Sequence, residues 1–449
     1  MTWFRSKMAQ LDIRPITFNP PLLLVLIFLA FVIVGCFMLK LPIATTHSIS
    51  WIDAFFISTS AATVTGLAPI DPSTTFTMFG KTVIMLLIQI GGLGIMSFAV
   101  FFVILLGGKV SIRQRQLMQE ALNQPSFGGV IRLVVWLLVF SVTIECVAAL
   151  LISTRLVPEF GWSRGLFYSV FHAVSAFNNA GFALFPDNLI RYVGDPVINL
   201  TISGLIVTGG LGFTVLAELL SERKFRKMSL HSRMMITGTI VLNVIAIAGI
   251  LLIEWHNART LGKLPLGEKL WAGYFQGITP RTAGFNTIDY SAMATPGILL
   301  TVFLMFVGAG STSTGGGIKL TTFIVLAAEM ISFIKGRPEV EVGKRTIGRH
   351  IVARALTIAL TSLILVFVSV FTLSITEQAS LERILFEVVS AFGTVGLSMG
   401  LTAHLTVCGK LVIMCVMFLG KIGPLTIAFS FLKRMKANIR YPDEDIFIG

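Results

Sequence analysis

The chain has 449 residues, 55% of them hydrophobic and only 13% charged, with a mean hydropathy of +0.86. Soluble domains carry about 25% charged residues, which excludes a water-soluble globular protein and implies a chain that crosses a membrane several times. The formal net charge of +13 would suggest nucleic acid in a soluble chain; here it follows topology, and no nucleic-acid partner is expected.

A spanning helix needs about 20 mostly apolar residues. Such runs occupy 21–40, 75–106, 130–153, 192–218, 233–254, 296–333, 351–374 and 405–432. Shorter apolar segments lie between them at 51–61, 165–177, 267–279 and 381–393. At 1.5 Å per residue each reaches about 16 Å, half a bilayer, so each is expected to enter the membrane and turn back. The pattern predicts an all-α integral membrane fold with eight transmembrane helices and four re-entrant helices. Its segments are 1–20 (N-terminal), repeats at 21–107, 128–220, 230–335 and 349–433, and a tail at 434–449. No small-residue cleavage site follows the first apolar run, so no cleavable signal peptide is expected. Cys36, Cys146, Cys408 and Cys415 sit in apolar runs at unrelated spacings and read as small core hydrophobes.

Basic residues fix the orientation. Most lie in the termini and in segments joining one repeat to the next, among them Arg5, Lys7, Lys109, Arg113, Arg115, Arg223, Lys224, Arg226, Lys227, Lys335, Arg337, Lys344, Arg345, Lys433 and Arg434. The positive-inside rule makes those junctions and both termini cytoplasmic. The short segments then enter from outside a multi-pass protein of the cell membrane.

Each short segment ends in a related loop: Ser58-Thr-Ser-Ala-Ala-Thr-Val-Thr-Gly-Leu67, Ser175-Ala-Phe-Asn-Asn-Ala-Gly-Phe182, Thr279-Pro-Arg-Thr-Ala-Gly-Phe285 and Ser390-Ala-Phe-Gly-Thr-Val-Gly-Leu397. The glycines Gly66, Gly181, Gly284 and Gly396 recur about 110 residues apart, an internal fourfold repeat. Half-helices converging on one axis point their negative dipole ends at a cation. Loop carbonyls beyond them can replace its water shell, and glycine supplies the φ/ψ that lets neighbouring carbonyls face one axis. The expected selectivity filter is Thr63, Val64, Thr65 and Gly66; Asn179, Ala180 and Gly181; Thr282, Ala283 and Gly284; and Thr394, Val395 and Gly396, with K+ held there.

These four loops make the chain resemble the Trk/Ktr/HKT superfamily of potassium transporters, most closely bacterial Ktr membrane subunits, over roughly residues 20–435. The resemblance implies four helix–pore-loop–helix repeats around one ion pore, with one filter glycine in each. Sodium-preferring members often carry serine at the first filter glycine, so Gly66 favours potassium. Trk members usually have an extra N-terminal helix pair, which a first span starting near residue 21 lacks. The resemblance further implies a membrane homodimer, regulated by a cytosolic ring subunit that binds ATP or ADP. The basic cytoplasmic face and the tail Tyr441–Gly449 are its expected docking surfaces.

A second glycine cluster follows each filter glycine: Gly91-Gly-Leu-Gly94, Gly209-Gly-Leu-Gly212, Gly308-Ala-Gly310 and Gly420-Lys-Ile-Gly-Pro424. The first two read as close helix packing. The third runs on through Gly310, Ser311, Thr312, Ser313, Thr314, Gly315, Gly316, Gly317 and Lys319, a composition that no continuous helix favours, so the helix should break over 308–319. The family implies a gating loop here, below the filter. Lys421 lies within the last span, where lysine is costly and where the family commonly has arginine. Together with Lys319 it is expected to act on the gate. Glu145, Glu387, Asp53 and His172 read as structural hydrogen-bonding or capping groups.

Other classes fit less well. There is no HExxH and no Ser/His/Asp set, so an enzyme is not expected. The spans hold too few carboxylates for a proton-coupled carrier. No nucleotide-binding motif and no organic cofactor are evident in the chain. The transported ion is K+; sodium as a coupling or activating ion stays open, and a sodium-permeable or weakly selective cation transporter is the alternative.

Overall fold

The computed structural model describes residues 20–94, 130–222, 224–423 and 444. The expected N-terminal segment up to residue 19, the end of the first repeat, all of its junction with the second, the end of the fourth repeat, and nearly all of the tail lie outside the described residues. So do the docking surfaces expected on Tyr441–Gly449, except Glu444.

The described chain is almost wholly helical. In order it forms α1 (Pro20–Lys40), α2 (Trp51–Ala62), the single turn α3 (Pro72–Thr75), α4 (Met78–Leu93), α5 (Val130–Phe177), α6 (Pro196–Leu211), α7 (Phe213–Ser221), α8 (Leu230–Glu254) and α9 (Leu266–Ile278). There follow α10 (Thr295–Phe306), α11 (Leu320–Ile334), α12 (Arg349–Thr376), α13 (Leu381–Phe392) and α14 (Val407–Ile422). A two-stranded antiparallel hairpin, β1 (Val340–Val342) and β2 (Arg345–Ile347), joins α11 to α12. Among the described residues, four helices are each long and apolar enough to cross a membrane, over Leu22–Lys40, Val134–Phe177, Leu230–Glu254 and Arg349–Thr376. The pair α6–α7 passes the same test jointly although it is bent by 97°. Their outer faces are apolar, with Leu252, Phe367 and Ile364 exposed, as a lipid-facing surface requires.

Helix starts follow from capping chemistry. Thr77 and Thr406 hold corresponding places before α4 and α14, each accepting from a glycine N–H three residues on, Gly80 at 3.3 Å and Gly409 at 3.1 Å. Asp195 accepts from Val197 N and Ile198 N ahead of α6, whose first residue is Pro196.

Several helices end differently from the sequence expectation. The span expected at 130–153 and the half-helix at 165–177 are two helices that meet at Gly161, where φ is +78° and ψ 169°, so the first runs on past its expected end. Helices α4, α6 and α14, expected to run on through 75–106, 192–218 and 405–432, end at Gly94, Gly212 and Gly423. These three residues share one backbone state, with φ of +88°, +101° and +91° and ψ of 127°, 138° and 132°. That region is closed to residues with a Cβ, so each glycine ends its helix. Lys421 lies in the last turn of α14.

The helices close into a circle. α4 packs on α5, α6 on α9, α10 on α13, and α14 returns to α2. The closing joint carries an ion pair, Lys410 Nζ to Asp53 Oδ1 at 2.7 Å, with side chains only 14% and 15% exposed. Removing one member of a buried pair leaves the other charge stranded. Lys410→Met should therefore destabilise the protein by about 2 kcal/mol, and adding Asp53→Asn should recover most of the loss. Thermal unfolding of the detergent-purified variants checks this, and an unchanged midpoint for Lys410→Met would count against the joint.

Candidate functional site

The four short helical segments end at Ala62, Phe177, Ile278 and Phe392, with their last turns buried. Beyond each, the chain repeats one backbone trace. Two residues before the glycine φ is positive, +59° at Val64, +58° at Asn179, +69° at Thr282 and +48° at Thr394. The glycines follow at +94°, +67°, +78° and +91°. Three of the four leading residues are β-branched, for which this region costs about 1–3 kcal/mol each. Such strain persists only where the surroundings impose it.

Two bonds per loop impose it. The N–H before each glycine donates to the carbonyl of a helical or turn hydroxyl residue: Thr65 to Ser60 at 2.8 Å, Ala180 to Ser175 at 2.7 Å, Ala283 to Thr279 at 3.0 Å and Val395 to Ser390 at 2.8 Å. The hydroxyls of the same four residues then latch the loop in two ways. Ser60 and Ser390 accept from the N–H of Gly66 and Gly396, at 3.0 and 3.1 Å. Ser175 and Thr279 instead donate to the carbonyls of Phe182 and Phe285, at 2.8 and 2.5 Å.

The glycines form a closed ring in chain order. A Cβ built on Gly66 would stand 3.1 Å from Gly181 Cα, one on Gly181 2.8 Å from Gly284 Cα, one on Gly284 3.3 Å from Gly396 Cα, and one on Gly396 3.0 Å from Gly66 Cα. The first atom each would strike, or nearly so, is a neighbour's carbonyl oxygen, that of Ala180, Ala283, Val395 or Thr65. Thr63 differs from its neighbours; its hydroxyl turns back to Thr59 O and to Thr65 Oγ1 at 2.7 and 2.8 Å. The ring opens upward into a cavity of about 430 Å³, lined in part by Leu67, Asp71, Phe182, Asp187, Tyr290 and Leu397. At its rim Arg191 grips Asp187 through Nε and Nη2 at 3.0 and 2.9 Å, and those hydrogen bonds hold the guanidinium pKa above its ordinary value.

Polar residues of the short helices tether the segments that leave the ring. His172 Nε2 accepts from Leu184 N at 3.2 Å. Gln276 meets the Tyr290 hydroxyl at 2.5 Å. Glu387 accepts from Ser398 Oγ at 2.7 Å and from the Thr402 hydroxyl. Glu145 accepts from Gln89 Nε2 at 3.0 and 3.1 Å, with Asn178, at the end of the second short helix, beside them. Gln89 and Asn178 were not singled out by the sequence, although Gln89 stands just before the Gly91-Gly-Leu-Gly94 cluster and Asn178 within the Ser175–Phe182 loop motif.

On the other side of the ring, residues 307–319 form a loop between α10 and α11. Its neck is a parallel bridge of Val307 with Ile318, and Gly308 N donates to Ile318 O at 2.9 Å. The tip touches two of the ring-forming loops. Gly316 N donates to Thr394 Oγ1 at 2.9 Å, and a Cβ on Gly315 would stand 2.8 Å from Thr282 Cβ. The flank binds the broken helix pair, with Gly310 N donating to Gly210 O at 2.9 Å, Phe213 N to Thr312 O at 3.0 Å, and Thr314 Oγ1 to Gly209 O at 3.3 Å. Ser313 Oγ donates within the loop to Gly310 O at 2.7 Å, while Ser311 O lies against Gly212. Both lysines reach consecutive carbonyls at the tip. Lys421 Nζ donates to Thr314 O, and Lys319 Nζ to Gly315 O at 2.5 Å.

The first glycine of three clusters is a packing residue. Cβ atoms on Gly91, Gly209 and Gly420 would stand 2.8, 3.0 and 2.9 Å from the carbonyl carbons of Ala62, Phe177 and Phe392, the last residues of their short helices. The last glycines, Gly94, Gly212 and Gly423, break helices. Their recurrence at the end of each cluster was the signal available for those breaks.

Comparison with known proteins agrees with this geometry. A family model described as TrkH, cation transport protein, matches residues 25–439. Ktr system potassium uptake protein B of Bacillus subtilis (strain 168) is 54% identical over 437 residues, 97% of this chain and 98% of that one. The protein of the same description from Vibrio alginolyticus is 39% identical, covering 96% of this chain and 95% of its own. Potassium/sodium uptake protein NtpJ of Enterococcus hirae is 41% identical, covering 94% and 95%. The crystal structure of the potassium transporter TrkH from Vibrio parahaemolyticus has a TM-score of 0.72, covering 94% of this chain and 86% of that one at 19% identity, a likeness of fold. Matched over nearly its whole length, the chain belongs to the TrkH family of cation transport proteins, a family of transporters and not of enzymes.

Proposed function

We propose that this chain is the potassium-conducting subunit of a Ktr-type uptake system in the cell membrane. The observation that carries the reading is the closed ring of Gly66, Gly181, Gly284 and Gly396, in which four equivalent loops meet with no side chain between them. Carbonyls of Thr65, Ala180, Ala283 and Val395, with those of the glycines and of Val64, Asn179, Thr282 and Thr394, replace the water shell of K+. The negative ends of the four short helices add to their attraction. Eight spans, three of them closed by broken helices and one split by the 307–319 loop, surround this axis with both termini in the cytoplasm. Relatives whose names specify potassium uptake support the choice of ion.

The loop 310–317 is the gate. It lies under the ring, and Lys319 and Lys421 place two positive charges on its carbonyls, so a descending cation meets a polar plug and a repulsive field. Opening requires the plug to leave Thr394 and Thr282. Its glycines permit other conformations, among which a cytosolic nucleotide-binding partner selects by differential binding. Two chains pair through lipid-facing helices, each keeping its own pore. A sodium-permeable or sodium-coupled transporter is the second reading, and the potassium/sodium description of the Enterococcus relative favours it.

Two measurements test these assignments. Gly66→Ser puts a side chain against the Ala180 carbonyl at a positive φ. It should lower the K+/Na+ permeability ratio in reconstituted vesicles about tenfold, equivalent to about 1.4 kcal/mol; an unchanged ratio would take Gly66 out of the ion path. Deleting Ser311–Thr314 should raise ion flux and weaken dependence on the partner, with selectivity nearly intact. A folded deletion protein with equal or lower flux would overturn the gate.

A further inference from the structure

We infer a binding site for a small monovalent anion of halide size in the wall of the bundle, between α6, α8 and α9, built on Arg281. The inference does not depend on the filter or gate readings. Arg281 follows the C-terminal end of α9 and is only 6% exposed. Its Nη1 donates to Asn243 Oδ1 at 3.1 Å, while its Nε is buried without a partner. The Thr239 hydroxyl, 4% exposed, is likewise buried without a partner. Among the described residues no carboxylate pairs with Arg281.

These groups line one small cavity, together with Gly210, Ile278 and Ala309. About 10 Å³ is open to the centre of an occupant, enough for one water-sized body and too little for phosphate or sulfate. The guanidinium cannot lose its proton, and a buried cation without a counter-charge is costly. The negative end of α9 offsets part of that cost. Of the polar side-chain atoms of the lining residues, Asn243 Oδ1 is already engaged by Arg281. What remains is donors: Nε and the second Nη of Arg281, the Asn243 amide and the Thr239 hydroxyl. A donor-rich, positive, single-body pocket suits a halide better than water, which would leave the charge uncompensated.

The position gives the anion leverage. Arg281 adjoins Thr282, the positive-φ residue of the third loop, whose hydroxyl meets the Asn179 side chain at 3.2 Å. Gly210 and Ala309 belong to the contact between the broken helix pair and the 307–319 loop. A bound halide neutralises Arg281 beside both.

The test uses the full chain purified in detergent. Potassium bromide replaces potassium gluconate at constant potassium concentration while the melting midpoint is followed, and crystals grown in bromide are examined for anomalous scattering. The midpoint should rise with bromide, and an anomalous peak should lie within hydrogen-bonding reach of Arg281 Nε. Thr239→Val keeps the shape and removes one donor, so it should raise the bromide concentration for half the shift about tenfold. Arg281→Gln should abolish the shift if it folds. Two results would overturn the site: no anomalous peak in the pocket, or the same bromide dependence in wild type and Thr239→Val.

Discussion

Four backbones approaching so closely that no Cβ fits between them is the constraint on which this structure depends. Backbone contact at that distance demands positive φ at four glycines and at the residue two places before each. Val64, Thr282 and Thr394 adopt that state against their intrinsic preference. The strain is held by the latches from Ser60, Ser175, Thr279 and Ser390, which are rigid because the helix ends carrying them are buried on all sides. Close packing extends one layer further, since Gly91, Gly209 and Gly420 let the closing helices lie directly on those ends. Removing a side chain at one layer thus makes room for the next.

The fourfold pattern is one of backbone, not of chemistry. The latching hydroxyls accept from an N–H in the first and fourth loops and donate to a carbonyl in the second and third. Corresponding tethers above the ring are an imidazole, an amide and a carboxylate. The closing helices break at one glycine in three repeats and at a 13-residue loop in the other. Each repeat therefore meets the same geometric requirement with its own side chains.

Much of this was legible in the sequence, for reasons that differ by element. The short helices were placed closely, because half a bilayer of apolar residues between turn signals has few other readings. The glycines stood out because their need is local and absolute. The breaks at Gly94 and Gly212 were missed, because Gly-Gly-Leu-Gly serves packing at its first residue and termination at its last, and composition does not distinguish them. The division between the span from Val130 and the short helix ending at Phe177 was expected where the turn at Gly161 falls, but the first helix was ended too early, since it runs on beyond the apolar stretch that marks the membrane. Arg281 was passed over as part of a loop motif, because its isolation depends on partners that no local pattern reveals. Lys319 and Lys421 were recognisable by charge alone, but their convergence on adjacent carbonyls is a tertiary fact.

The circle of helices also has a consequence in time. Its closing joint unites Lys410 with Asp53, 357 residues apart in the chain. During synthesis three loops can be inserted and even latched while the fourth is still on the ribosome, and only the second then has both of its neighbours. Closure of so long a span is slow relative to local helix formation. An interrupted chain would expose strained turns and unsatisfied carbonyls rather than form a smaller closed ring. The architecture is thus all-or-none in biogenesis: the ring is complete only when the last-made quarter reaches the first.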